Sequence, residues 1–230
     1  MKDVKLDDVR RFHREFYGAG AAEIAIVGDF DADRVASVLE ELFAGWKAPK
    51  PYAHVPVKHG EVAPANLQVV TPDKENAIFL ARQNLDLRDD DPDFPALYVA
   101  NYILGGGTGL DSRLAARLRQ KEGLSYAAGS GVRAPSVDRS GTWSAYAIAA
   151  PQNIARVEAA FNEEVARALK DGFTAEEVAN AKSGIVQERL QNRAQDGTLA
   201  GAWAALLHLG RTFAFSKQFE DRLAGLTVTD

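Results

Sequence analysis

Between Trp46 and Ala65 the chain carries four prolines (Pro49, Pro51, Pro56, Pro64), two histidines (His54, His59) and no apolar repeat of helical or strand period. A helix does not run through such a stretch, because proline lacks the amide hydrogen and its ring collides with the preceding turn. A central strand is excluded by the same missing donor. The sequence is therefore expected to divide into a helix–strand–helix segment 1–45, a linker 46–65 and a larger unit 66–230. At 46% hydrophobic residues the 230-residue chain has ample apolar surface for a core.

Several function classes fall away at once. There is no cysteine, so thiol catalysis, disulfides and Cys-ligated metals are excluded, and the absence suits either redox compartment, periplasm or cytoplasm. A net charge of −5 with lysine and arginine spread evenly argues against a nucleic-acid partner. No apolar run approaches the ~20 residues of a membrane span.

The smaller segment starts with a helix from Asp7 to Tyr17, with Val9, Phe12, Phe16 and Tyr17 on one side. Glu23–Val27 is a short apolar run of strand type, and Asp31 can cap a helix carrying Val35, Val38, Leu39, Leu42 and Phe43. Beyond the linker, Leu67–Val70 and Ala77–Leu85 are strand candidates around a Thr71–Lys74 turn. A helix then starts at the acidic run Asp89–Asp93 and continues to Gly105, another lies near Ser112–Lys121, and strands Leu124–Val132 and Thr142–Ala149 follow. Pro151 opens a helix that Gly172 ends, Thr174 and Glu177 form a capping box for the next, and two more follow near Leu199–Leu209 and Lys217–Leu223. Paired strands and consecutive helices predict an α+β fold, an antiparallel-rich sheet with helices packed on it.

Chemistry is sparse. None of His13, His54, His59 and His208 has a second ligand at the spacing of H-E-x-x-H or H-x-x-E-H, so no metal site is expected. His13 suits a helix surface, His54 and His59 an exposed linker, and His208 a partly buried place on an Ala/Leu-rich helix. No G-x-S-x-G elbow occurs, since Gly129-Ser130-Gly131 lacks the spacing, and Gly105-Gly-Gly107 lacks the continuation of a phosphate loop. On spacing alone, Arg119 reads as a helix-surface arginine in an ion pair and Tyr126 as a tyrosine half buried on a strand.

The stretch from Leu104 to Tyr126, L-G-G-G-T-G-L-D-S-R-L-A-A-R-L-R-Q-K-E-G-L-S-Y, resembles the insulinase/pitrilysin family of zinc metallopeptidases, in the half that lacks the zinc motif. Ser112-Arg-Leu114 matches the family's S-R-L helix after its glycine turn, and Arg119 with Tyr126 matches its R-x-x-x-x-x-x-Y pattern. Phe12–Tyr17, Ile26-Val-Gly-Asp29 and Thr174–Lys182 resemble further family segments in the right order. The resemblance implies that Arg119 and Tyr126 face the catalytic chamber, where they hold the substrate peptide and the oxyanion. It also implies that any zinc sits on a partner domain or subunit, with no cofactor in this chain.

The expected role is thus the non-catalytic, substrate-binding half of such a peptidase, with a peptide substrate and a zinc-bearing partner. A structural scaffold of the same fold is the alternative. Leu226–Asp230 resembles the start of an element, which suggests a domain cut short at its C-terminus, with residues 1–45 as the closing segment of a preceding domain. Glu23–Val27 is accordingly expected to pair with the sheet of Leu67–Val70, Ala77–Leu85 and Thr142–Ala149, within one chain or in a swapped homodimer.

Overall fold

A computed structural model describes residues 3–107 and 111–230. The chain folds into two compact units, one of residues 1–55 with 190–216, the other of residues 56–189 with 217–230.

The first unit is helical. Helix α1 (Leu6–Phe16) has Asp7 and Asp8 in its first turn and His13 and Arg14 in its last, the arrangement the helix dipole favours. Helix α2 (Ala32–Phe43) starts at Asp31, whose Oδ1 accepts the Arg34 amide at 3.0 Å. The beginning of the linker folds back on α1: Ala19 N donates to Trp46 O at 2.8 Å and Lys50 N to Glu15 O at 3.0 Å. Gly18 permits this, since a Cβ there would meet Ala48 N at 2.2 Å. His13 is packed against Tyr17 and Trp46, with ring centroids 4.8 and 6.3 Å away.

Glu23–Val27 corrects the sequence expectation. It is extended but forms no strand, and it pairs with no sheet among the described residues. The physical reason is that a strand exists only by pairing, and the described elements of its own unit are all helical. Ile24 and Ile26 remain 48% and 40% exposed. His208 is corrected too: it is exposed, and its Nδ1 lies 3.2 Å from Glu23 Oε2.

The second unit holds one three-stranded antiparallel sheet of β1 (Ala77–Leu85), β2 (Ser125–Arg133) and β3 (Gly141–Ala149), in the order β1-β3-β2. Strand alternation sends Phe79, Ala145, Ala147 and Ala149 to one face, where small alanines let helix α5 (Ile154–Asp171) approach closely. Val157, Ala160 and Phe161 of α5 fill that layer. Gly172, at φ +67°, ends α5 and donates its amide to Ala168 O. A second core forms where helix α3 (Phe94–Asn101) packs with the later helices, through Val99, Ile103, Val178, Ile185 and Leu223. Leu67–Val70 is also a correction: it forms no strand, and Leu67, Val69 and Val70 are 85%, 82% and 75% exposed. The fold is α+β, as the paired strands and helix blocks predict.

Candidate functional site

Two helices lead into the region that carries the sequence motifs. Helix α3 passes without a break into a π-turn at Tyr102–Gly106. At the junction the buried Asn101 accepts hydrogen bonds at Oδ1 from Ser130 Oγ (2.8 Å) and Trp143 Nε1 (3.0 Å), tying the helix to β2 and β3. Thr108, Gly109 and Leu110 of the glycine-turn motif lie outside the described residues.

Helix α4 (Arg113–Ala115) continues as a π-turn over Ala116–Lys121. Each residue of Ser112-Arg-Leu114 has a distinct structural task. Ser112 Oγ caps the helix by accepting the Ala115 amide at 3.3 Å, and Leu114 is 1% exposed in the core. Arg113 forks onto Glu177 of α6 (Ala175–Arg193), Nε to Oε1 at 2.7 Å and Nη2 to Oε2 at 2.8 Å. Its guanidinium also lies 4.6 Å over the Phe173 ring and donates to Gly172 O. Glu177 completes the capping box, accepting the Thr174 amide at 2.8 Å while Thr174 Oγ1 accepts its own. The Arg113 fork, with these bonds, lowers the Glu177 pKa from 4.5 to about 2.

Four residues on, Arg117 pairs with Glu122 and with Glu163 Oε2 of α5 (2.6 Å). This clamp closes the turn from α4 to β2. Glu122 N reaches Arg117 O at 3.2 Å, Leu124 N reaches Leu118 O at 2.8 Å, and Gly123 supplies the φ of +62° that the reversal needs. Arg119 and Tyr126 occupy the two ends of that turn.

Arg119 sits in the last turn of the π segment, exposed, and without an ion pair among the described residues. Tyr126 is the second residue of β2, at a bulge where Ser125 faces Ala149 and Ala127 faces Ile148, and the residue is 60% exposed. Both groups are thus open to a ligand, one as a fixed cationic fork and the other as a hydroxyl donor. The clamp residues Asn101, Arg117 and Glu122 carry no signal in the sequence; only Glu177 could be anticipated, from its capping box.

The zinc of the metallopeptidases does not fit this chain. The sequence has no H-x-x-E-H, and among the described residues no three or more His, Asp or Glu side chains are grouped to hold a metal ion. Among the described residues no helix is long and apolar enough to cross a membrane.

The α+β domain thus carries Arg119 and Tyr126 at the two ends of a clamped turn. Residues 3–185 match the model of the peptidase M16 inactive domain, and the chain belongs to that family. Among solved structures it is similar to a peptidase M16 inactive domain from Pseudomonas fluorescens, at 23% identity and a TM-score of 0.78, over 99% of this chain and 52% of that one. A protease from Helicobacter pylori is similar at 19% identity and a TM-score of 0.79, over 99% and 54%. A chain of Complex III2 from Candida albicans shares the fold at 17% identity and a TM-score of 0.61, over 88% and 48%. The chain therefore spans about half the length of these structures. No curated protein matches it.

Proposed function

We propose that this chain is the substrate-binding, zinc-less half of an M16-type metallopeptidase, and that it supplies Arg119 and Tyr126 to a zinc site on another domain or subunit. The observation that carries the reading is the state of the three arginines on one short helix. Arg113 is taken by Glu177, Arg117 by Glu122 and Glu163, and Arg119 alone stays exposed without an ion pair among the described residues. An arginine kept open at one end of the turn and an exposed tyrosine at the other suit a peptide carbonyl or a developing oxyanion. In this reading residues 1–45 close a preceding domain and residues 66–230 form the inactive-type domain.

The test is complementation. The chain alone hydrolyses no fluorogenic peptide; mixed with a zinc-bearing M16 half from the same parent, it restores turnover in proportion to the amount added. Hydrolysis by the chain alone, or turnover by the zinc-bearing half that is indifferent to this chain, contradicts the proposal. A scaffold role is the second reading, favoured by the shared fold with a chain of Complex III2. It requires the complex to form without a gain in turnover.

A further inference from the structure

One face of the sheet is covered by α5, while the opposite face is open and has its own chemistry. Ile78, Leu80 and Tyr146 project there, 61%, 73% and 44% exposed. The register arranges this face in rows across the three strands. Ile78 lies beside Ile148 and Ala127, and Leu80 beside Tyr146 and Gly129. Next comes Arg82 beside Ser144 and Gly131, and last Asn84 beside Thr142 and Arg133.

The face therefore grades from apolar to basic along the strands. None of its twelve positions is Asp or Glu. Arg82 and Arg133 are both exposed and have no ion pair among the described residues. Elsewhere in the unit, arginines 88, 113, 117, 139, 167 and 189 are held by carboxylates, while Arg119, Arg156 and Arg222 have no ion pair among the described residues but lie off this face. Gly131 leaves a gap on β2, with nothing within 4 Å of where its Cβ would be, whereas Gly129 is buried against Gly105 O and the Tyr146 ring. Glu61, the acid on the neighbouring strap whose Gly60 O accepts from Asn84, is engaged with His59 Nε2 at 3.1 Å. Tyr126 stands at the apolar end of the same face, at the bulge beside Ala127.

We infer that this face is a track for an extended peptide that bears apolar side chains and, about four residues further on, an acidic side chain met by Arg82 and Arg133. The spacing follows from the strands: Ile78 and Arg82 are four residues apart, ~13 Å at ~3.3 Å per residue. The inference rests on the peptide-binding role proposed for Tyr126 and adds the residues that set sequence preference. A second copy of the chain is a poor occupant, because its matching face offers the arginines no carboxylate. An anionic lipid surface is disfavoured by the chain's net charge of −5.

The experiment uses three fluorescein-labelled nonapeptides, identical except that Glu, Gln or Lys lies four residues beyond a Leu-x-Leu segment. Binding is read by anisotropy with the wild-type chain, Arg82→Gln/Arg133→Gln and Tyr126→Ala. Two exposed arginines should favour the Glu peptide over the Lys peptide by about fivefold at low salt. The preference should vanish in the double glutamine variant and at 0.5 M salt. Equal affinity for the three peptides, or a preference that survives in the double variant, overturns the inference. So does binding to phosphatidylserine vesicles in place of peptide, or self-association in sedimentation that blocks peptide. Tyr126→Ala separates the two levels. If it weakens all three peptides equally and the Glu preference is absent, the track falls and the role of Tyr126 stands. If it changes nothing while the Glu preference persists, the track stands and the role of Tyr126 falls.

Discussion

Replacing Glu177 by Gln tests the charge that faces Arg113. Glutamine keeps the shape, and its one carbonyl oxygen can still accept the Thr174 amide, but its NH2 replaces an acceptor of the fork, so the change removes the anion together with one Arg113 hydrogen bond. Arg113 has 13% of its side chain exposed, and its Nη1 is buried without a hydrogen-bond partner, so the guanidinium depends on Glu177 for compensation. A carboxylate held at a pKa of about 2 rather than 4.5 sets a ceiling of about 3 kcal/mol on the pair's contribution at neutral pH. Glu177 keeps 30% of its side chain exposed, and solvent screening brings the expected loss to about 1–2 kcal/mol.

The pH dependence has a definite sign. The folded-state pKa lies below the unfolded one, so the stabilisation is complete above about 4.5 and fades as the pH falls toward about 2. Urea unfolding followed by tryptophan fluorescence should therefore show the same gap between wild type and Glu177→Gln at pH 7 and pH 5, and a smaller gap at pH 3. A gap independent of pH, or one absent at pH 7, refutes the role given to the pair.

Other substitutions test the packing that positions the site. Asn101→Ala strands the Trp143 indole N–H and the Ser130 hydroxyl, and should cost about 1–3 kcal/mol with a shift in tryptophan emission. Gly184→Ala puts a Cβ 2.6 Å from the Tyr102 hydroxyl; thermal unfolding should show a loss that Tyr102→Phe in the same chain largely restores. Leu118→Ala, at a position 1% exposed beneath the turn, should cost about 2–5 kcal/mol in urea unfolding. After dialysis, elemental analysis should find zinc well below one ion per chain.

Strand chemistry was legible in the sequence only where a partner exists. Ala77–Leu85 and Thr142–Ala149 alternate or run apolar, and both pair, β1 lying along β3 for its whole length. Glu23–Val27 and Leu67–Val70 have the same local chemistry and pair with nothing among the described residues, because a strand is a property of two segments and a sequence window shows one. Helices were legible from periodicity and caps, down to Asp31, Gly172 and the Thr174–Glu177 box. The π-turns at Tyr102–Gly106 and Ala116–Lys121 were not, since one extra residue per turn leaves the apolar pattern nearly unchanged.

In the site itself, the motif pointed to Arg119 and Tyr126 but could not show which arginines are already engaged. That depends on Glu122, Glu163 and Glu177, which lie on a turn and on two different helices. His208 was misjudged for a similar reason: an Ala/Leu-rich helix suggested burial, while its exposed partner Glu23 is 185 positions away.

The central claim is that Arg119 and Tyr126 act on substrate rather than on the fold. Its most direct measurement is kcat/KM of the peptidase reconstituted with the zinc-bearing half, for Arg119→Ala and Tyr126→Phe, beside the unfolding free energy of each variant chain. Both side chains are exposed, so stability should stay within about 0.5 kcal/mol of wild type. Turnover should fall by about 100-fold or more, as for the loss of an oxyanion donor. Unchanged turnover in both variants, or losses matched by equal losses of stability, would contradict the account.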